Sequence, residues 1–574
     1  MPKPGRSRIQ PFLATFTLFS SITVAPAQMA DSILLNGKFI TMDAADSIAE
    51  AIAIRGGKIV AVGAKEPVMS HQGNETRIID LQGQTATPGL IDAHLHFADI
   101  EPVYSIDLSK VHSVAEVLQL VRERAAKAQP GEWIQGQGWD EGKLAEHRYI
   151  YAADLDRVAP RNPVWLTHTT GHYGVANSLA LSMARVASGA KSPPAGTIDE
   201  DAKGQPTGVL KEEAAMQLVT KLIPPYSHGQ LRDGYLTTMA ALNKEGITGV
   251  KDPGIAAENW SVYQELRDQN RLTIHLFALW RGGTTVQQTQ AVVTRMLGLP
   301  KKEDDVLISG GVKLFMDGSG GARTAWMHKD WNKNFTEIDT GNRGYPLTDP
   351  EVYRQQVRLI HAAGIHIGTH AIGDRAIDWV VDTYAEALKD KPTTGLRHSI
   401  IHANIPSDHA IETMAALESQ YDAGYPEAQA EFMYWIGDTY AGNFGPERCL
   451  RLMPLHTYTQ RGIRWAGGSD YPVTPFPPRL GIWASLARET LNGTYGKQPF
   501  GTAEAVDIHT ALRSYTVWAA RQLFLENRIG SLEAGKDADI AVWDRDPYTV
   551  PTDQIKDLKC TMTLFQGRIV YGPI

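Results

Sequence analysis

Thr87–Phe97 reads TPGLIDAHLHF, and the pair that closes it, His94-x-His96, decides how the rest of the chain is read. The short apolar run Leu90–Ile91, followed by Asp92 and an alternating tail, predicts a buried strand rather than a helix. Residues two apart on a strand project to the same side, so both imidazoles would face one place. Two neutral imidazoles converging on a point are what a divalent metal takes as nitrogen ligands. With 18 histidines in 574 residues, the pair alone is equally compatible with two hydrogen-bonded core histidines. The residues downstream decide between the two.

On either side of a mixed centre the chain is β-rich. SILLNGKFITM, AIAIRGGKIVAVG and IIDLQGQT carry turn pairs at Asn36-Gly37 and Gly56-Gly57. RIGSLEAGKDADIAVWDRDP and TLFQGRIVYG repeat that style at the other end. The two ends predict one small β-sandwich, built from residues 29–86 and 525–574. Between them, 87–524, strand-like runs alternate with helical periods: after the first strand come Gly246–Asp252, Leu272–Leu279, Gly311–Asp317, Gly364–Ala371, Ser399–Ala403, Glu431–Trp435 and Ile463–Asp470. Eight strands alternating with helices predict an α/β fold, a (β/α)8 TIM barrel with its active site at the C-terminal strand ends. The stretch from about 100 to 240 is too long for a loop and predicts an α+β insertion after the first barrel strand.

At those strand ends stand His94 and His96, Lys313 with Asp317, His370, His402 and Asp470. The histidines and Asp470 are ordinary metal ligands, and scattered core histidines have no reason to collect at one mouth. Cys449 and Cys560 are the only cysteines, which excludes a disulfide framework and a cysteine-based zinc site; two separate buried thiols are expected. A net charge of −8 leaves no basic footprint for nucleic acid. At the start, Lys3, Arg6 and Arg8 precede the apolar Phe12–Val24 and the small-x-small Ala25-Pro26-Ala27. That is the pattern of a signal peptide over residues 1–28, implying a periplasmic or secreted protein with no stable membrane span after processing.

TPGLIDAHLHF, VKLFMDG, THAIGDRAID, RHSIIHA and GGSDYPV together resemble the metal-dependent amidohydrolase superfamily. VKLFMDGSGGARTAW and the GWDE at 138–141 resemble its YtcJ-like branch, which includes N-substituted formamide deformylases. The resemblance implies that His94, His96 and Asp470 hold one metal and His370 and His402 a second, with Lys313 bridging them as a CO2-derived carbamate. The implied cofactor is a divalent metal, zinc by preference, as one or two ions. If Lys313 is a plain lysine paired with Asp317, a single ion is implied. Asp470 would also be the catalytic general base. His172, in LTHTTGHYGVANS, corresponds to a histidine near the substrate in the family, and Arg323, Trp139 and Asp317 complete the expected substrate-facing set. His366 shares strand five with His370 but belongs by the barrel logic to the packed interior.

The expected function is hydrolysis of a carbon–nitrogen bond, in an amide or formamide of a small organic molecule, by a metal-activated hydroxide. Ester or lactone hydrolysis at the same site, and a non-catalytic secreted binding or regulatory protein of the same fold, are the alternatives. The partner is a small-molecule substrate, with a homodimer compatible with everything above.

Overall fold

Gly89 divides the Thr87–Phe97 stretch between two sheets. In the computed structural model, which describes Met1 and residues 29–299, 305–331, 341–493 and 500–573, strand Thr85–Pro88 pairs antiparallel with Ile540–Trp543 near the C-terminus. Strand Leu90–Asp92 (β1) then opens a parallel sheet. A Cβ at position 89 would lie 2.2 Å from the Thr248 hydroxyl, so only glycine lets the chain cross here. The signal sequence expected over residues 1–28 lies outside the described residues apart from Met1.

The parallel sheet continues in chain order through Ile247–Ile255 (β2), His275–Arg281 (β3), Leu307–Phe315 (β4), His366–Ala371 (β5), Ser399–His402 (β6), Tyr425–Ala428 (β7) and Ala466–Gly467 (β8). The Ala93 N–H donates to the Gly467 carbonyl at 2.9 Å, joining β8 back to the end of β1. Helices such as Val286–Gly298, Pro350–Ala362 and Asp374–Asp390 lie between the strands. The fold is a (β/α)8 barrel.

Its strands are covered on both faces, which is why β3 reads as a nearly continuous apolar run, LFALW, rather than an alternation. The helices show the complementary 3.6 period. Asp374–Asp390 buries Ile377, Val380, Val381, Tyr384, Ala387 and Leu388. Pro350–Ala362 begins with Pro350 after Asp349, whose carboxylate accepts from the Glu351 and Val352 amides, a cap worth about 1 kcal/mol.

Two other sheets complete the molecule. The N-terminal strands, beginning with Ser32–Ile40, share one eight-stranded mixed sheet with Ile540–Trp543, Cys560–Phe565 and Arg568–Tyr571. Leu34, Ile52, Ile540 and Leu564 pack on one of its faces, and Ile33, Leu35, Ala51 and Val68 on the other. The insertion after β1 carries a six-stranded mixed sheet running from Ile106–Asp107 to Pro206–Lys211. Cys449 and Cys560 are separate, free and buried.

One strand differs from expectation. Glu431–Trp435 is a helix, and the seventh barrel strand is Tyr425–Ala428, sequence YPEA. A proline and a glutamate are poor strand signals, while the aromatic run EFMYW is a good one. The tertiary context reverses both. Glu427 is fully buried inside the barrel and is compensated by a buried lysine from β2, Lys251.

Candidate metal centre

His94 and His96 stand just beyond the end of β1, where the ladder has stopped and the chain bends at Ala93 and His94. The Leu95 N–H donates to the Lys251 carbonyl and the His96 N–H to the Tyr471 carbonyl, and these bonds hold the pair in place. Asp470 follows β8 with a left-handed backbone (φ 57°), its N–H donating to the His94 carbonyl at 2.6 Å. Gly468 makes this approach feasible, since a Cβ there would sit 2.7 Å from the His94 nitrogen. His402 closes β6, also left-handed (φ 74°), and His370 lies near the end of β5. Left-handed non-glycine backbone costs on the order of 1–2 kcal/mol per residue, and here it falls on two of the converging side chains.

The hydrogen bonds fix which ring nitrogens point inward. His94 Nδ1 lies 3.1 Å from the Glu427 carboxylate and donates to it, leaving Nε2 bare. His402 Nδ1 is 2.8 Å from the Gln429 side-chain oxygen, which likewise leaves Nε2 bare. His370 Nε2 donates to the Gly318 carbonyl at 3.0 Å, leaving Nδ1 bare. Those bare nitrogens meet. His402 Nε2 is 2.9 Å from His370 Nδ1. Asp470 Oδ1 is 3.3 Å from His94 Nε2 and 3.1 Å from His96 Nε2. His94 Nε2 and Asp470 Oδ1 are both buried and neither makes a hydrogen bond.

Lone pairs facing one another in a desolvated site repel unless a cation lies among them. Nitrogen ligands about 2.1 Å from one ion at tetrahedral angles stand roughly 3.4 Å apart, close to the separations seen. The donor set fits a divalent metal, with ligand atoms of His94, His402 and Asp470 all within 4.8 Å of one another. The electrostatics agree. Burial, then the neighbouring His402, His172 and Lys313, holds His370 well below the ordinary histidine range, and burial does the same for His402. Burial alone would raise the Asp470 carboxyl, but positive charge among the histidines, whether a proton or a cation, outweighs it and holds the group well below the ordinary carboxylate range.

Lys313, on β4, is 1% exposed, and among the described residues its Nζ has no hydrogen bond or ion pair. Burial lowers its ammonium to about 7, with Asp470 and Glu427 opposing the shift. Asp317 is not its partner. Its carboxylate accepts from the amides of Trp326, Ile372 and Gly373, so it anchors loops instead of offering a free oxygen to substrate.

The second buried lysine has a different fate. Lys251 Nζ donates to His366 Nε2 at 3.0 Å, to the Ser399 hydroxyl at 3.4 Å and to Glu427, using all three protons. His366 is thus the interior residue expected. Glu427 bridges Lys251 to His94, setting the tautomer of that ligand and raising its basicity. Neither Lys251 nor Glu427 was anticipated, although the VKD within β2 mirrors the VKL of β4. Asking which strand ends carry a charge would have found it.

The remaining expected residues separate. His172 lies with its ring centroid 5.1 Å from that of His370, its Nδ1 on Glu212 at 2.9 Å. Burial lowers its pKa, but the Glu212 charge and hydrogen bond raise it further. Arg323 is buried in the loop after β4, left-handed at φ 59°, with its carbonyl accepting from Asn342. Trp139 is fully buried, its indole N–H on the Leu166 carbonyl and its ring against Tyr149, His168 and Tyr173. It packs the insertion core rather than lining a ligand surface, which corrects the expected role.

A second group, Asp140, Glu141 and His168, also brings ligand-type atoms together. Its tautomer is the wrong one for a metal. His168 Nδ1 accepts from the Thr170 amide at 3.1 Å, so the proton sits on Nε2, facing Glu141 at 3.2 Å. That is a hydrogen-bonded carboxylate–histidine network.

The barrel with metal-type ligands at its strand ends defines a metal-dependent hydrolase. Residues 77–571 match the amidohydrolase family, and the chain belongs to it. It is 29% identical to the N-substituted formamide deformylase of Arthrobacter pascens, over 95% of this chain and 99% of that one. It is 28% identical to YtcJ of Bacillus subtilis strain 168, over 91% and 96%. An uncharacterized metal-dependent hydrolase from Pyrococcus horikoshii OT3 shares the fold, with a TM-score of 0.69 and 24% identity over 91% of this chain and 99% of that one. The protein is a metal-dependent hydrolase acting on carbon–nitrogen bonds.

Proposed function

We propose that the substrate is a small amide or formamide of an organic amine, hydrolysed at a zinc centre held by His94, His96, His370, His402 and Asp470. The single observation that carries this reading is the convergence of the His94 and His96 ring nitrogens on the Asp470 carboxylate, beside the His402 and His370 nitrogens that face each other at 2.9 Å. Near-full-length similarity to a formamide deformylase supports the substrate class. A bound metal would supply an acidified water and a polarised carbonyl. The chain's own residues do the rest. Asp470 accepts the water proton and returns it to the leaving nitrogen, which departs poorly until protonated. Glu427 keeps the His94 proton on Nδ1, and Gln429 does the same for His402. Lys313, a desolvated amine beside Asp470 and Glu427, supports a carbamate at that position and with it a second ion.

The test is a panel of N-formyl, N-acetyl and cyclic amides with matching esters, run on protein of measured metal content. Turnover of formamides or amides that stops on chelation and returns with zinc is the expected result. Turnover of the esters alone would transfer the reading to ester hydrolysis.

Export is proposed as well, on the cationic-then-apolar start and Ala25-Pro26-Ala27. Among the described residues, no helix is long and apolar enough to cross a membrane. Intact mass of protein from the native host is expected to show loss of roughly the first 27 residues. Retention of Met1 in cytosolic protein would refute export.

A further inference from the structure

His172 belongs to the insertion, not to the barrel, yet its ring lies beside the His370 ring. Two contacts hold it there. Its Nδ1 is 2.9 Å from Glu212 Oε2, and its backbone carbonyl accepts from the Glu212 N–H at 2.6 Å. Glu212 is 2% exposed and left-handed (φ 63°), an expensive conformation for a residue whose side chain only fills space. Its other oxygen, Oε1, accepts from the Thr324 hydroxyl, which comes from the barrel loop after β4. Gly318, whose carbonyl receives the His370 proton, leaves the room for this contact, because a Cβ there would lie 2.4 Å from Glu212 Oε1. The two oxygens of one carboxylate therefore tie an insertion histidine to a barrel loop, next to a metal-type ligand.

We propose that Glu212 is a positioning residue that fixes the tautomer of His172, holding the proton on Nδ1 and leaving Nε2 for the substrate's reacting group. On this assignment the insertion completes the active site, and Thr324 sets the sense of the Glu212 contact. The consequence is specific. In Glu212→Gln the single amide oxygen is claimed by the Thr324 hydroxyl, so the NH2 group turns to His172 Nδ1. The imidazole proton must then move to Nε2, the wrong tautomer, as happens when the orienting carboxylate of a catalytic triad becomes an amide. Removing the Thr324 hydroxyl frees the glutamine oxygen to accept from Nδ1 again. The double variant Glu212→Gln with Thr324→Val thus regains what Glu212→Gln alone loses.

The proposal rests on the amide-hydrolase reading only for its kinetic arm, since the tautomer is read without substrate. Nitrogen-15 spectra of histidine-labelled protein at alkaline pH, with His172→Gln for assignment, are expected to show Nδ1–H in the wild type, Nε2–H in Glu212→Gln and Nδ1–H again in the double variant. On the best substrate from the panel, kcat is expected to fall on the order of 10²-fold in Glu212→Gln, with KM and metal content nearly unchanged, and to recover in part in the double variant. A wild-type kcat in Glu212→Gln, an unmoved proton, or a double variant worse than either single one would overturn the assignment. A wild-type enzyme inert on every amide would overturn the amide reading and leave the spectra to judge Glu212.

Discussion

Asp470→Asn is expected to lower kcat by about 10²–10⁴-fold, the usual cost of losing a general acid–base group, while bound metal falls only modestly. The carboxylate is 5% exposed, ionised, and equidistant within a few tenths of an ångström from His94 Nε2 and His96 Nε2. Asparagine keeps the shape and one oxygen donor, so the left-handed turn after Gly467-Gly468-Ser469 survives. What disappears is the negative charge among the imidazoles and, with it, an anionic oxygen able to take a proton. Because positive charge among the histidines, whether a proton or a cation, overcomes the effect of burial and holds the carboxyl well below its ordinary range, it stays ionised across the neutral range. The loss should therefore be much the same at pH 6 and pH 8 rather than confined to one limb. If Asp470 merely completed the turn, the variant would lose thermal stability and keep its turnover. Measuring kcat, metal content and melting temperature on this one variant separates the two, and near-wild-type turnover with full metal would sink the mechanism.

That these side chains collect at one mouth was readable from sequence for a physical reason. A barrel places its chemistry at strand ends, and His94, His96, His370, His402 and Asp470 each follow an apolar run long enough to identify as a strand. The residues that orient them were not readable, because their signals run against local preference. Glu427 lies in a strand containing proline, and neither it nor Lys251 would be buried without the other. Glu212 is 40 positions from His172 in sequence and meets it only because two strands of the insertion sheet pair, Tyr173 opposite Lys211. Trp139 illustrates the opposite error. Its place in GWDE, a stretch that resembles the YtcJ-like branch, made it look like a pocket residue, yet a fully buried indole satisfied by a backbone carbonyl is what core packing demands. Asp317 was misjudged for a similar reason, since sequence cannot reveal that three backbone amides already claim its oxygens.

Lys313→Ala is expected to remove most of the activity, on the order of 10²-fold or more, together with part of the bound metal. Lys251 and Lys313 are both buried lysines on neighbouring parts of the barrel, and their surroundings differ. Burial lowers Lys251 too, but the Glu427 charge opposes the shift and three acceptors take its protons. Lys313 has burial that lowers it to about 7 and, among the described residues, only the Phe315 ring face at 4.8 Å in place of a hydrogen-bond acceptor. Around neutral pH a large fraction of it is therefore the free amine, the only form that attacks CO2. Forming the N–C bond releases a proton and turns the side chain from a cation into an anionic oxygen ligand. The sign of the pH effect follows. The amine fraction grows as pH rises through about 7, so apoprotein supplied with bicarbonate and zinc should regain activity faster at pH 8 than at pH 6. An alanine at 313 leaves room beside Asp470, and short carboxylic acids should restore part of both metal and turnover by standing in for the carbamate. The same acids should do nothing for Lys251→Met, where the lost group was a cation pairing Glu427. If Lys313→Ala keeps full metal and full kcat, or if bicarbonate has no effect on reconstitution at either pH, Lys313 holds no bridge and the centre works with the histidines and Asp470 alone.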